Sequence, residues 1–224
     1  MLISVSGLIG EGKGTVADYL VKQYGFQKAA FADSLKDATS AIFSWPRYLL
    51  EGDTDESREF REEKDEWWSE KLGMNVTPRH ILQVFGTEVF RDGFHSDIWL
   101  LSAYKKYLES NHDFVFSDAR FPNELDFVQK NGGYAIVVQR GKRPNWWEIA
   151  IEANQGCEYA QSSMASFGVH PSEYKWIGHE FDFEIYNRTT LDSLYNEVDE
   201  VMKKIRNMQA EPKKILTNKT SLLI

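Results

Sequence analysis

The sequence predicts a three-layer α/β fold, a parallel sheet of about five strands with helices on both faces. Three observations predict it. Short, nearly continuous apolar runs (LISVS at 2–6, FVFSD at 114–118, YAIVVQR at 134–140) are the pattern of strands covered on both sides. Between them lie segments with apolar residues at three- and four-residue spacing, the helical period. Strand and helix alternate, and right-handed crossovers then set neighbouring strands parallel.

Taken in order, LISVS leads into a helix from about Lys13 to Tyr24, with Val16, Leu20 and Val21 on one side and Gly25 ending it. FQKAAF (26–31) reads as a second strand and is followed by a helix starting near Asp33. Pro78 opens a helix through RHILQVFGTEVF, where Ile81, Leu82, Phe85, Val89 and Phe90 recur at helical spacing. DIWLLSAYKKYLES (97–110) is a further amphipathic helix, and Phe121 to Asn131 is helical, closed by Gly132-Gly133. FDFEIYN (181–187) is the last strand. Thr189 and Asp192 then form a capping-box pattern for a helix carrying Leu191, Leu194, Val198, Val201 and Ile205. One domain results, with a core of residues 1–44, 113–140 and 181–207. A mostly helical insertion over about 45–112 and a segment without clear period over 141–180 interrupt it. A basic tail follows from 208 to 224, with Lys213, Lys214 and Lys219.

Hydrophobic residues make up 42 % of the 224 and aromatics 14 %, enough for a packed core. No apolar run approaches the roughly 18–20 residues that span a bilayer, so no membrane partner is expected. The N-terminus shows no signal-peptide pattern, and the single Cys157 excludes an internal disulfide framework and fits a reducing cytoplasm, as a buried or incidental thiol. Net charge is −8, and residues 51–70, with ten acids against three bases, supply most of it. That run reads as a solvated helix face or mobile insertion. No basic stripe for duplex nucleic acid is present. The acidic segment and the tryptophan pairs at 67–68 and 146–147 leave a homodimer open.

GLIGEGKGT (7–15) carries the chemistry. The spacing G-x-x-x-x-G-K follows a strand and opens a helix, the context of a phosphate-binding P-loop: glycines let backbone N–H groups close round phosphates, and Lys13 reaches their oxygens. Gly14 stands where Ser or Thr is usual and the hydroxyl comes at Thr15. This GKGT variant is found in adenylate kinases and other nucleoside monophosphate kinases, and it favours a small-molecule kinase over a GTPase or motor ATPase. Asp118 ends a hydrophobic strand in the manner of a Walker B acid and, with Thr15, is the candidate holder of Mg²⁺, directly or through water. Arg120 lies two residues on, at the carboxyl edge of the sheet where ligands of open α/β folds bind.

At SDARFPNE (117–124) the chain resembles the bacteriophage deoxynucleoside monophosphate kinases. FADSLKDA (31–38), ILQVFGTEVFRDGFHSDIW (81–99), HPSE (170–173) and EIYNRTTLDSL (184–194) extend the resemblance over residues 1 to about 205. It implies a P-loop kinase fold and transfer of phosphate from ATP, with Mg²⁺, to deoxynucleoside monophosphates, supplying diphosphates for phage DNA synthesis in the host cytoplasm. By the resemblance, Gly10, Glu11, Gly12, Lys13, Gly14, Thr15 and Val16 form the ATP loop, and Asn187 packs on the donor base. Lys13, Asp118, Arg120 and Arg140 are the catalytic set. Asp33, Lys36, Gln83, Asp97 and Trp99 belong to the acceptor region, where chemistry adds Arg79 and Arg91 as phosphate anchors and Phe85 and Phe94 as aromatic walls. Arg79 and Arg91 lie 12 residues apart, about 18 Å along a straight helix, so both serve one phosphate only if the helix breaks, at Gly86 or Gly93. Arg143, His170 and Glu173 fall in a lid-like segment over 141–180. The family's Asn-x-Gly-[Ser/Thr]-Leu reads Asn187-Arg188-Thr189-Thr190-Leu191 here, without the glycine. Two other readings stand beside this one: a P-loop kinase of another acceptor, such as dephospho-coenzyme A or phosphomevalonate, and a non-catalytic nucleotide-gated module.

Overall fold

The structure, a computed structural model, describes residues 1–210; the basic residues Lys213, Lys214 and Lys219 lie outside them. In chain order the elements begin with β1 (Leu2–Ser6), α1 (Lys13–Tyr24), β2 (Gln27–Ala29) and α2 (Asp33–Phe43). A 3₁₀ turn (Arg47–Leu50) then leads to α3 (Asp55–Glu62), α4 (Glu66–Leu72) and α5 (Pro78–Gln83). α5 runs on into π-helical turns over Val84–Asp92, followed by α6 (Ile98–Leu108), β3 (Phe114–Phe116), α7 (Pro122–Lys130) and β4 (Tyr134–Gln139). α8 (Trp147–Asn154), α9 (Glu158–Ser166), α10 (Pro171–Tyr174), β5 (Phe183–Tyr186) and α11 (Leu191–Ala210) complete the chain.

All strand pairs are parallel and the order is β2-β3-β1-β4-β5. Successive side chains of a strand point to opposite faces. Leu2, Phe114, Phe116, Ala135 and Val137 therefore meet one helical layer, built with α7, α8 and α9, while Ile3, Val5, Val115, Ile136 and Val138 meet α1 and α11 on the other. A third core, Leu35, Phe43, Trp45, Leu50, Ile81, Leu82 and Trp99, holds the helical insertion together. A five-stranded parallel sheet in this order, with a phosphate loop between β1 and α1, is the P-loop kinase fold.

Several expectations change. Of the two expectations for the acidic run, the solvated helix face holds, with most of its acids exposed, but the helices are also anchored: Phe60 and Trp68 pack against the Phe43–Trp45 core, Trp68 Nε1 donates to Phe43 O at 3.1 Å, and Thr54 and Asp65 cap α3 and α4. Charge count did not show these anchors, because they are set among the acids. The stretch 141–180 is helical as well; its residues of commitment are Trp147, Ala150, Ala153, Met164 and Trp176, all buried in the core against the sheet. The cap of α11 is Thr190, whose Oγ1 accepts Ser193 N at 3.2 Å, one residue later than the Thr189–Asp192 pattern. Cys157 is exposed, just ahead of α9, not buried.

Candidate active site

The site residues follow the carboxyl ends of the strands: the loop after β1, Asp33 after β2, Asp118 after β3, Arg140 after β4 and Asn187 after β5. β1 hands the chain directly into the loop, which wraps the N-terminus of α1, where backbone N–H groups and the helix dipole favour phosphate. Gly12 caps α1 at φ 108°, and a Cβ there would stand 2.7 Å from Asn187 Nδ2, so glycine alone lets the end of β5 approach. Asn187 Nδ2 donates to the Glu11 carbonyl at 2.9 Å. The buried Glu11 carboxylate in turn accepts from the backbone N–H groups of Leu8 and Arg140. Both residues thus brace the loop, and Asn187 also lines the cavity beside it. Val16 is fully buried beneath the loop, bonded through its N–H to Gly12 O at 3.0 Å. Lys13 Nζ donates to Gly7 O and Leu8 O, both at 2.8 Å. Burial, and next the charge of Arg120, lowers its pKa, while Glu173 and Glu11 oppose the shift.

Over the loop lies a cavity of about 870 Å³ whose wall includes Gly10, Gly12, Lys13, Gly14 and Thr15 together with Asp33, Asp118, Arg140 and Asn187. A second cavity, about 320 Å³, lies among α2, α3, α5, the π-helical turns and the α10 turn. Its wall includes Lys36, Arg79, Gln83, Arg91 and Trp99, and also Arg120, His170 and Glu173. The two cavities share Lys36, Glu51 and Asp118. Arg79 and Arg91 reach one cavity because the helix widens into π geometry from Val84, an arrangement frequent at functional sites. Gly86 falls inside that stretch, and its carbonyl accepts Trp99 Nε1 at 2.9 Å.

Asp118 is held from the β2–α2 turn: its two oxygens accept Phe31 N at 3.1 Å and Ala32 N at 3.2 Å. Burial raises its pKa, against the pull of Lys36 and those two N–H groups. The Thr15 hydroxyl and the Asp118 carboxylate line the same cavity, a hard-oxygen pair that fits Mg²⁺, an ion that takes one or two carboxylates, waters and substrate phosphates. Among the described residues no group of three or more His, Cys, Asp or Glu forms a metal-holding cluster, so this is not an all-protein cage.

Acids hold most cations of the smaller cavity. Lys36 Nζ meets Glu51 at 2.6 Å, Arg79 pairs with Glu62, Arg91 with Glu124, and Arg120 with Glu173. Glu124 is buried and also accepts the N–H groups of Arg120 and Phe121, which fixes the backbone that carries Arg120. Its pKa is raised by burial, with Arg91 opposing. Four of the expected acceptor and lid residues, Phe85, Phe94, Asp97 and Arg143, line neither cavity. Phe85 packs on Phe43 and Phe90, Asp97 accepts Asn123 Nδ2 at 2.8 Å ahead of α6, and Arg143 lies over the Trp147 ring at 4.6 Å. Phe94 is 73 % exposed. Sequence reasoning missed Glu51, Arg61, Phe121 and Glu124, all of which line the smaller cavity. FPNE held a signal for the last, a Glu in the first turn after a proline, where it can reach back to free N–H groups.

The chain is similar to a protein of Acanthamoeba polyphaga mimivirus named "Putative deoxynucleotide monophosphate kinase", 29 % identical over 211 residues that make up 88 % of this chain and 94 % of the relative. With the phosphate loop, that similarity supports a kinase. No protein-family model matches. Among solved structures, shikimate kinase from Aquifex aeolicus aligns with TM-score 0.42 and 14 % identity over 93 % of this chain and 98 % of that one. Dephospho-CoA kinase from Campylobacter jejuni aligns with TM-score 0.42 and 17 % identity, over 91 % and 96 % of the two chains. Among the described residues no helix is long and apolar enough to cross a membrane.

Proposed function

We propose that the protein transfers the γ-phosphoryl group of ATP to a deoxynucleoside 5′-monophosphate, with Mg²⁺, giving the diphosphate. The observation that carries this reading is the pair of cavities joined at Lys36, Glu51 and Asp118, one over a phosphate loop and one ringed by cations. The choice of a deoxynucleotide acceptor rests on the motifs that resemble the phage enzymes and on the name of the mimivirus relative. On this reading the partners are small nucleotides, and the diphosphates serve viral DNA synthesis in a host cytoplasm.

Phosphoryl transfer needs two phosphates in line, neutralised charge and little water. Lys13 leaves the Gly7 and Leu8 carbonyls for the β- and γ-oxygens of ATP. Thr15 and Asp118 would hold Mg²⁺, which would supply further neutralisation of those oxygens. An acceptor phosphate oxygen forms the new bond to γ-phosphorus as the bond to the β,γ-bridging oxygen breaks. No general base is needed, because the attacking phosphate is already an anion. Arg120 exchanges Glu173 for the transferring group, and Arg140 closes the donor side. Trp147 and Trp176 anchor the 141–180 segment in the core, and Trp176 Nε1 donates to the Glu173 carbonyl at 2.9 Å, which ties the turn carrying Glu173 to that anchor.

The test is ADP release from ATP and Mg²⁺ with each deoxynucleoside monophosphate in turn. Turnover with one or more of them, lost in Lys13→Ala and Arg120→Ala, is the expected result. ATP binding without turnover on any monophosphate would refute the assignment.

A further inference from the structure

The smaller cavity has a fifth cation that the acid pairs leave over. Arg61 lies on the last turn of α3, within the acidic run, and its side chain joins the cavity wall beside Arg79. Lys36, Arg79, Arg91 and Arg120 each have a carboxylate partner. Among the described residues Arg61 has none: Nη1 donates to the Glu51 carbonyl at 3.3 Å, and the buried Nε has no partner at all. A guanidinium keeps its charge and presents five donors in a planar fork suited to two oxygens of one phosphate. Nε is sealed in the wall, whereas Nη2, which among the described residues has no partner either, is not sealed and is the donor a ligand in the cavity can meet.

The chain also makes room for this placement. Gly52 has φ +75°, and a Cβ there would stand 2.0 Å from Arg61 Nη1. A side chain at 52 would therefore drive the guanidinium from its seat. The seat is built from two features far apart in character, a left-handed glycine at one end of the acidic run and an arginine nine residues later. Carboxylates already hold the other four cations, while Arg61 has none to give up among the described residues.

We propose that Arg61, seated by Gly52, is the primary anchor of a phosphomonoester dianion in the smaller cavity, which on the function proposed above is the 5′-phosphate of the acceptor. The competing anchors Arg79 and Arg91 then add to a phosphate already held.

Calorimetric titration of the full chain with deoxynucleoside monophosphates, the corresponding nucleosides and inorganic phosphate tests this. Wild-type protein is expected to bind the phosphorylated ligands, and Arg61→Met to bind them roughly 10- to 100-fold more weakly, the range for loss of charged hydrogen bonds. Nucleoside binding and ATP binding should change by less than about twofold, since neither uses this anchor. Arg61→Lys, which keeps charge and stem but not the fork, should fall between, and it carries the test if the methionine variant does not fold. Gly52→Ala should copy Arg61→Met. Unchanged phosphate affinity in folded Arg61→Met or Arg61→Lys overturns the proposal, as does failure of wild-type protein to bind any phosphorylated ligand. Arg61-dependent phosphate binding without turnover of any monophosphate would uphold the anchor and overturn the proposed acceptor.

Discussion

The side-chain amide of Asn187, at the end of the last strand, donates to the carbonyl of Glu11 inside the phosphate loop at 2.9 Å. The Asn187 N–H also bonds Gln139 O, so the same residue ties β5 to β4 and β5 to the loop. The amide therefore fixes the loop's shape from outside the P-loop motif. Asn187→Ala should raise KM for ATP by roughly three- to tenfold, the worth of one neutral hydrogen bond to a half-buried group. KM for the monophosphate should stay within about twofold, because the acceptor cavity does not include Asn187. Steady-state kinetics with each substrate varied in turn checks both, and an unchanged KM for ATP removes the brace from the account.

Glu173 places a negative charge in the wall of a cavity proposed to bind a polyanion, and it holds Arg120. The pair is partly exposed, so breaking it should cost less than about 1 kcal/mol of stability. Glu173→Gln should instead bind the monophosphate a few-fold more tightly, with one competitor for Arg120 removed. Urea unfolding and KM for the monophosphate are the two readings. A tenfold or greater rise in that KM would show that the carboxylate itself serves the bound state.

The donor half of the site was legible in the sequence for a physical reason. A phosphate loop is local: strand, glycines, lysine and helix start fall within 15 residues, and their spacing is dictated by the backbone geometry of one turn. Asp118, Arg120, Arg140 and Asn187 were legible because strand ends in a parallel sheet converge on one edge. The acceptor half depends on packing between distant elements. Arg61 sits in a run whose net charge is negative, and its significance comes from the absence of a partner, which composition does not record. Phe85 and Trp99 both suit an aromatic wall, and only the course of the π-helical turns separates them. The widened helix itself left a trace in the sequence, the conflict between 12-residue spacing and a shared phosphate, which pointed to a break at Gly86 or Gly93; the π-helical turns include Gly86.

Away from the site, Tyr24 on α1 donates to Asp199 on α11 at 2.6 Å, with Tyr19 bonded to the same carboxylate. Burial first, and then the hydrogen bond to Asp199, pushes the Tyr24 phenol up to about 12. An unfolded tyrosine titrates near 10, so between these values the native state holds a proton that the unfolded state has lost. The contribution is fully present below about pH 10 and is lost as pH rises through the folded value. Tyr24→Phe should therefore lower stability at neutral pH and flatten its decline above about pH 10. Urea unfolding across the alkaline range tests the slope. Absorbance titration should lose one late-titrating phenol in the variant, and an unaltered titration curve would rule the assignment out.

Trp99 and Phe85 give the sharpest separation between lining and packing. Trp99 is buried, faces the smaller cavity and donates Nε1 to the Gly86 carbonyl within the π-helical turns. Removing that donor cuts the side-chain tie between α6 and the point where the helix is widened, and the turns that carry Arg91 lose that support. Trp99→Phe should raise KM for the monophosphate roughly tenfold, with KM for ATP little altered. Phe85 touches Phe43 and Phe90 and no cavity wall, so Phe85→Leu should cost about 1 kcal/mol of stability through imperfect packing and leave both KM values within about twofold. The two variants measured side by side by urea unfolding and kinetics should give opposite patterns. If Phe85→Leu moved the monophosphate KM as far as Trp99→Phe, the acceptor would have to reach past the cavity wall into the aromatic core, and the pocket assigned here would be too small.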